Sequence, residues 1–339
     1  AGVLGTFLYE GKMPAYRGAI GRFIGGSGKE IAVLRNTSEG AQVLAASIDW
    51  EPGDEIVLSD NEFPANAHPW LGLRRRGVVI RYVDTERERL TPDVLRPLMS
   101  ARTKVVAVSW VSFEDGYMHD LAALAEVTHE RDALFCVDAI QGLGAFSIDV
   151  RAQGIDALYC GGAKWMMALQ GVAFLYVAES LIERLTPLTP GWRSVADIWD
   201  FLNYDQPLAA DATRYEGGTP NFIGALSLDR AIDVFERSGM EAIASHVLGL
   251  TDRLVDGLTR HGANILSSRT SGTRSGIVTF TLPGADPVEL GKALQTGGFV
   301  TTYRASGVRV SPHGYNSAEE IDAFVEAATE RGKALACIR

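Results

Sequence analysis

Residues 120–164 read DLAALAEVTHERDALFCVDAIQGLGAFSIDVRAQGIDALYCGGAK, and this stretch decides the fold. Asp120 precedes Leu121, Leu124, Ala125 and Thr128, the spacing of a helix with one apolar face and an acid at its N-cap. Leu134–Val137 and Ala157–Tyr159 follow as short apolar runs bounded by polar or Gly residues, which predicts buried strands. Working outward, runs of the same kind lie at Ile31–Leu34, Ile56–Leu58, Val78–Val83, Val105–Trp110 and Val172–Val177. Strands that stay apolar on both faces and alternate with amphipathic helices belong to a doubly wound α/β domain with a mainly parallel sheet.

Near Gly239 the pattern changes. A long amphipathic helix is followed by strand-like runs at Ile277–Leu282 and Val308–Ser311, and then by a last helix. That helix opens on the capping-box spacing Ser317-Ala318-Glu319-Glu320 and continues through Ile321, Phe324, Val325 and Ala328. The expected organisation is an N-terminal segment over 1–14, a large domain over 15–238 and a small α+β domain over 239–339. Neither an internal repeat nor a low-complexity linker interrupts it.

Bulk composition excludes several classes. At 339 residues, with 46% hydrophobic and 22% charged residues, the chain is an ordinary globular protein, neither disordered nor fibrous. Its formal charge of −10, with Arg74-Arg75-Arg76 as the one dense basic cluster, argues against nucleic acid and anionic membrane as partners. Cys136, Cys160 and Cys337 show no metal-binding spacing and no disulfide framework, which favours a reducing compartment, and no stretch has the length of a membrane span. The expected location is the cytoplasm, without a metal centre. The first residue is Ala1 rather than Met, which leaves room for natural residues ahead of it.

Ligands of open parallel sheets sit beyond the carboxyl ends of the strands, so polar residues that close the apolar runs matter most. Asp138 closes the run ending at Val137; alone, such an acid is as often a cap as a functional group. Lys164 is the one charge between Gly161-Gly162-Ala163 and Trp165-Met166-Met167-Ala168-Leu169, which predicts a lysine on a largely buried loop. A buried lysine is a neutral amine able to form a Schiff base. Asn36-Thr37-Ser38-Glu39-Gly40 closes a strand and opens a helix, either a plain N-cap or a phosphate site. Together the three places describe one ligand, with a phosphate, a ring nitrogen and an aldehyde.

In their order, these motifs resemble the class V aminotransferase family of fold-type I pyridoxal-5′-phosphate (PLP) enzymes. Val137-Asp138-Ala139-Ile140-Gln141 is similar to its D-x-x-Q motif, and Gly161-Gly162-Ala163-Lys164-Trp165 to its lysine motif. Asn36-Thr37-Ser38-Glu39-Gly40 resembles the phosphate turn, and Glu62-Phe63-Pro64-Ala65-Asn66 falls where the family stacks a residue on the ring. Arg214 to Asn221 is similar to the loop that reaches the neighbouring subunit's phosphate, and Val308-Arg309-Val310-Ser311-Pro312-His313 to the strand whose arginine receives the substrate carboxylate. The match runs from about residue 15 almost to the C-terminus.

The resemblance implies a homodimer with shared active sites and an amino acid as substrate. Lys164 then holds PLP and removes the α-proton, Asp138 keeps the pyridine nitrogen protonated and Gln141 meets the phenolic oxygen. Phe63 covers the ring, Thr37, Ser38, Gly218 and Thr219 hold the phosphate, and Arg309 binds the substrate. Relatives carry Ser and His where this chain has Gly161 and Ala163, so phosphate contacts must come from elsewhere. Desulfurases of the family place a histidine over the ring and a cysteine before the arginine. Here those positions hold Phe63 and the cysteine-free loop Tyr303-Arg304-Ala305-Ser306-Gly307, which argues against desulfuration through a persulfide. Transamination and C–S β-elimination rank first. Epimerisation, with His68 or Tyr303 as second base, and a non-catalytic PLP-fold binding subunit are the alternatives. A nicotinamide dehydrogenase would need G-x-G-x-x-G after the first strand, where this chain has Asn-Thr-Ser-Glu-Gly.

Overall fold

A computed structural model describes residues 9–337. The chain divides into two compact units, one running through Trp110 and resuming over His119–Arg237, the other made of Val111–Met118 and the chain from Ser238 onward.

The first unit is built on seven strands: β1 (Ile31–Leu34), β2 (Glu55–Ser59), β3 (Val79–Val83), β4 (Thr103–Ser109), β5 (Leu134–Asp138), β6 (Ala157–Gly161) and β7 (Ala173–Val177). Their order is β1-β7-β6-β5-β4-β2-β3. All neighbours are parallel except β7, which runs against both β6 and β1. The described helices of this unit include α1 (Met13–Phe23), α2 (Thr37–Ser47), α3 (Pro64–Leu71), α4 (Pro92–Leu98), α5 (Leu121–His129) and α6 (Phe222–Ser238), whose last residue falls in the second unit. The sheet is therefore the expected α/β layer. Ala107, Cys136 and Tyr159 of the central strands pack with Leu44 of α2 and Trp70 of α3 in one buried cluster. Each large apolar side chain enclosed there contributes roughly 1.5–3 kcal/mol.

One strand departs from its expected burial. Val79 and Tyr82 are 38% and 40% exposed, because β3 is the edge of the sheet and has a neighbour on one side only. Strand ends also shift in a way that matters chemically. Asp138 is the last residue of β5 rather than the first residue after it, and β6 continues two residues beyond Tyr159, to Gly161. The Asp120 cap is present, its carboxylate accepting from Ala123 N–H at 3.1 Å.

The second unit has an antiparallel sheet in the order β10-β11-β9-β8, from β8 (Asn264–Ile265), β9 (Val278–Thr281), β10 (Thr302–Arg304) and β11 (Gly307–Val310). It is covered by α7 (Met240–Arg260), α8 (Pro287–Thr296) and α9 (Ala318–Ala336), which bury Leu254, Leu290 and Phe324 with Phe280 and Val308. Both bonds of the capping box form, Glu320 N–H to Ser317 Oγ at 3.3 Å and Ser317 N–H to Glu320 Oε2 at 2.8 Å. The segment Val111–Met118 joins this unit through its carbonyls: Ser275 Oγ donates to Gly116 O at 2.7 Å and Thr279 Oγ1 to Glu114 O at 2.6 Å. Gly116 has φ +74, and a Cβ on it would lie 2.5 Å from Ile277 O, so only glycine fits.

Candidate active site

The site of the first unit assembles at the carboxyl ends of β1, β2, β4, β5 and β6. Asp138 is 1% exposed and paired in register with Ser109 of β4 and Tyr159 of β6. Its Oδ1 accepts from Ile140 N–H at 3.0 Å, while Oδ2 is buried with no hydrogen-bond partner among the described residues. Burial pushes the carboxyl up to about 7, against the Ile140 bond; the nearby Glu62 raises it further and Lys164 lowers it. An unsatisfied buried carboxylate oxygen is costly, and it marks a place built for a donor.

Lys164 follows β6 on a turn closed by Ala168 N–H to Gly162 O at 2.8 Å and Met167 N–H to Lys164 O at 3.0 Å. Met167 has φ +52, a left-handed conformation that only a constrained turn imposes on such a residue. Here the expectation of burial fails: Lys164 is exposed, as are Met167 at 42% and Leu169 at 51%. Trp165 and Met166 alone turn inward, so the apolar neighbours that read as a buried loop form outward apolar surface instead.

Phe63 caps α3, whose Pro64 occupies the first helical position that tolerates a missing N–H. Its ring centroid lies 5.2 Å from Lys164 Nζ. Glu62, which sequence reasoning gave no role, accepts from Ser109 N–H at 2.8 Å and from Ser109 Oγ at 2.5 Å. Burial raises its carboxyl above the usual range, while the Ser109 hydrogen bonds pull the other way. His119 Nδ1 lies 2.9 Å from the carbonyl of the same serine. An acid just past the end of β2, beside an aromatic, was the one signal that could have found Glu62.

At the start of α2, Asn36 rather than Thr37 is the N-cap, its side chain accepting from Glu39 N–H at 2.9 Å. Thr37 Oγ1 is buried without a partner among the described residues, and a Cβ on Gly161 would stand 2.8 Å from it. The glycine thus leaves space beside that hydroxyl. Ser38, half-buried, is the next residue of the helix's first turn. Gln141 is fixed by Trp165, whose indole N–H donates to Oε1 at 3.3 Å, so the amide NH₂ end is turned away from Trp165. Gly218 and Thr219 are exposed and line a cleft with Leu34, Arg35, Glu39 and Asn221 of the same chain.

Arg309 belongs to the second unit. Its guanidinium donates to Phe113 O and, at 3.3 Å, to Thr302 Oγ1, while Nε is buried without a partner among the described residues. Burial, then the charge of Arg304, hold it below the usual arginine range. Of the two possible second bases, His68 is exposed on α3 and Tyr303 donates to Gln295 Oε1 at 3.3 Å. Among the described residues no cluster of His, Cys, Asp and Glu could hold a metal, and no helix is long and apolar enough to cross a membrane.

The chain matches the family model for aminotransferase class-V over residues 9–324. A protein of Methanothermobacter thermautotrophicus described as a probable cysteine desulfurase is 29% identical, over 94% of this chain and 83% of its own length. The apo structure of cysteine desulfurase from Thermococcus onnurineus superposes with a TM-score of 0.88 at 26% identity, covering 97% of this chain and 85% of that one. The cystine C–S lyase C-DES, solved with its product cysteine persulfide, shares the fold with a TM-score of 0.89 at 21% identity, covering 97% and 89%. With the family model matched over nearly its whole length, this chain belongs to the class-V aminotransferases and is a pyridoxal-5′-phosphate-dependent enzyme.

Proposed function

We propose that the enzyme is a C–S lyase that cleaves the Cβ–S bond of a sulfur amino acid and releases the sulfur directly. The observation that carries this reading is where its thiols lie. Cys136 and Cys160 are fully buried in β5 and β6, burial pushes both thiols well up, and Cys337 caps the C-terminal end of α9. The loop from Tyr303 to Gly307 offers no thiol, so sulfur has no cysteine there to ride on. The relatives named as desulfurases and as a cystine C–S lyase support the C–S bond as the target.

The residues fit PLP, which supplies an electron sink for the charge left on the substrate when its α-proton departs. The partnerless Asp138 Oδ2 would accept from the ring N–H, and its charge would hold the proton there. Gln141, with its oxygen committed to Trp165, would donate through its NH₂ group to the phenolic oxygen. Thr37 Oγ1 and the first N–H groups of α2, with Ser38, would hold the phosphate, joined by the Gly218–Thr219 segment of a second copy of the chain. Lys164 would hold the cofactor and, once freed by the substrate amine, take the α-proton on Nζ. Phe63 shields this from water without transferring a proton. Arg309, with its planar fork, would receive the substrate carboxylate.

A homodimer is part of the proposal. Met167, Leu169, Ile223 and Leu226 are exposed, and Leu169 N–H bonds Ser227 Oγ at 3.1 Å, so the lysine turn and α6 present one apolar surface suited to a second copy. Thr219 would serve the partner's phosphate. The three unpaired thiols suit the cytoplasm.

The test is product analysis with cysteine and cystine. From cysteine and water, the lyase yields sulfide, pyruvate and ammonia in equal amounts. Amino transfer to an added keto acid without sulfide, or sulfur bound to Cys337, would overturn the reading.

A further inference from the structure

The end of β4 is tied from two sides. Glu62 takes both polar hydrogens of Ser109, and His119 Nδ1 lies against the Ser109 carbonyl. The next residue, Trp110, donates its N–H to Asp138 O at 2.9 Å, and Ser109 is the ladder partner of Asp138 itself. Glu62 also immediately precedes Phe63, the ring beside Lys164. A single carboxylate therefore joins the segment that covers the lysine to the strand beside the buried acid.

We propose that Glu62 is a positioning residue for the cofactor, fixing Phe63 over the Lys164 site through Ser109 and placing a second negative group beside Asp138. This rests on the reading of Asp138 and Lys164 as the cofactor residues. Charge and geometry act together. Removing the carboxylate loosens the Phe63 turn, and removing only its charge lowers the proton affinity of Asp138 and Tyr159. The titratable groups that surround the pair are Lys164 on its turn, Tyr159 and Cys160 of β6, and His119 behind Ser109. The Ile140 N–H bond and the charge of Lys164 oppose Glu62 in its effect on Asp138.

Glu62→Gln keeps size and one acceptor for Ser109 N–H but deletes the charge. Glu62→Ala removes the tether, and Ser109→Ala removes its hydroxyl bond while the backbone N–H bond stays. The readouts are PLP dissociation constant, melting temperature and the pH midpoint of the bound cofactor's absorbance. Glu62→Gln is expected to retain PLP and melt normally while its midpoint moves at least about half a pH unit toward acid. Glu62→Ala should weaken PLP about tenfold and Ser109→Ala less, with the wild-type midpoint kept in Ser109→Ala. An unmoved midpoint in Glu62→Gln, or unchanged PLP affinity in both alanine variants, overturns the proposal. If wild-type protein fails to bind PLP at Lys164, the underlying cofactor reading has failed instead.

Discussion

Replacing Asp138 by Asn should cost activity and yet stabilise the protein without cofactor, and both effects follow from one buried oxygen. The Asp138 carboxyl is raised from 3.8 to about 7, burial being the main cause. Its folded-state pKa lies above its unfolded value, so the folded state binds the extra proton. Stability from this group is complete below pH 4 and is lost as pH rises from about 4 to 7. At 1.36 kcal/mol per unit the ceiling is near 4 kcal/mol, and relaxation of the site reduces this to roughly 1–3 kcal/mol gained by Asn at pH 8. With PLP bound the sign reverses. A carboxylate and a pyridinium about 3 Å apart attract by about 5 kcal/mol at an effective dielectric of 20, an upper bound from which a rate loss of about a thousandfold follows. The assay is thermal melting of cofactor-free wild type and Asp138→Asn at pH 5 and pH 8, beside turnover of both holoenzymes. The variant should melt higher at pH 8, and higher by roughly a third of that margin at pH 5. A lower melting point at pH 8, together with near-normal turnover, would refute the reasoning.

Other perturbations address the turn that opens α2 and the loop that carries Thr219. Thr37→Val removes a buried hydroxyl that has no partner among the described residues, so the cofactor-free protein should be no less stable while PLP binds about 10–100-fold more weakly by equilibrium titration. Glu216 is 2% exposed and binds Arg17 with two bonds of 2.8 Å, Arg193 at 3.2 Å and Val33 N–H at 2.9 Å, just ahead of Gly217. Glu216→Ala leaves the buried Arg17 guanidinium without its carboxylate, while Arg193 keeps its pair with Glu10, and should cost about 3–5 kcal/mol, read as a lower midpoint in urea.

The sheet was legible because its strands are buried on both faces, so runs such as Val105–Trp110 stay apolar without alternation. Burial by neighbours distant in sequence was not legible. Val78–Val83 is as rich in Val and Ile as the inner strands, with Arg81 its one charge, and the strand order makes it an edge. The apolar residues after Lys164 have no local mark that sends Trp165 inward and Met167 outward; that division is set by the turn at Met167. Asp138 and Thr37 were found because each closes a strand or opens a helix. Glu62 was missed because its partner Ser109 is 47 residues away, and the Trp165 bond that orients Gln141 spans 24.

The central claim is that Lys164 carries the cofactor. Reduction of the PLP-loaded protein with borohydride, followed by peptide mapping, tests it most directly. The account predicts one phosphopyridoxyl group per chain, on the peptide containing Gly161-Gly162-Ala163-Lys164-Trp165, and none in Lys164→Ala. Attachment at another lysine, or no retained group after loading with PLP, would contradict it.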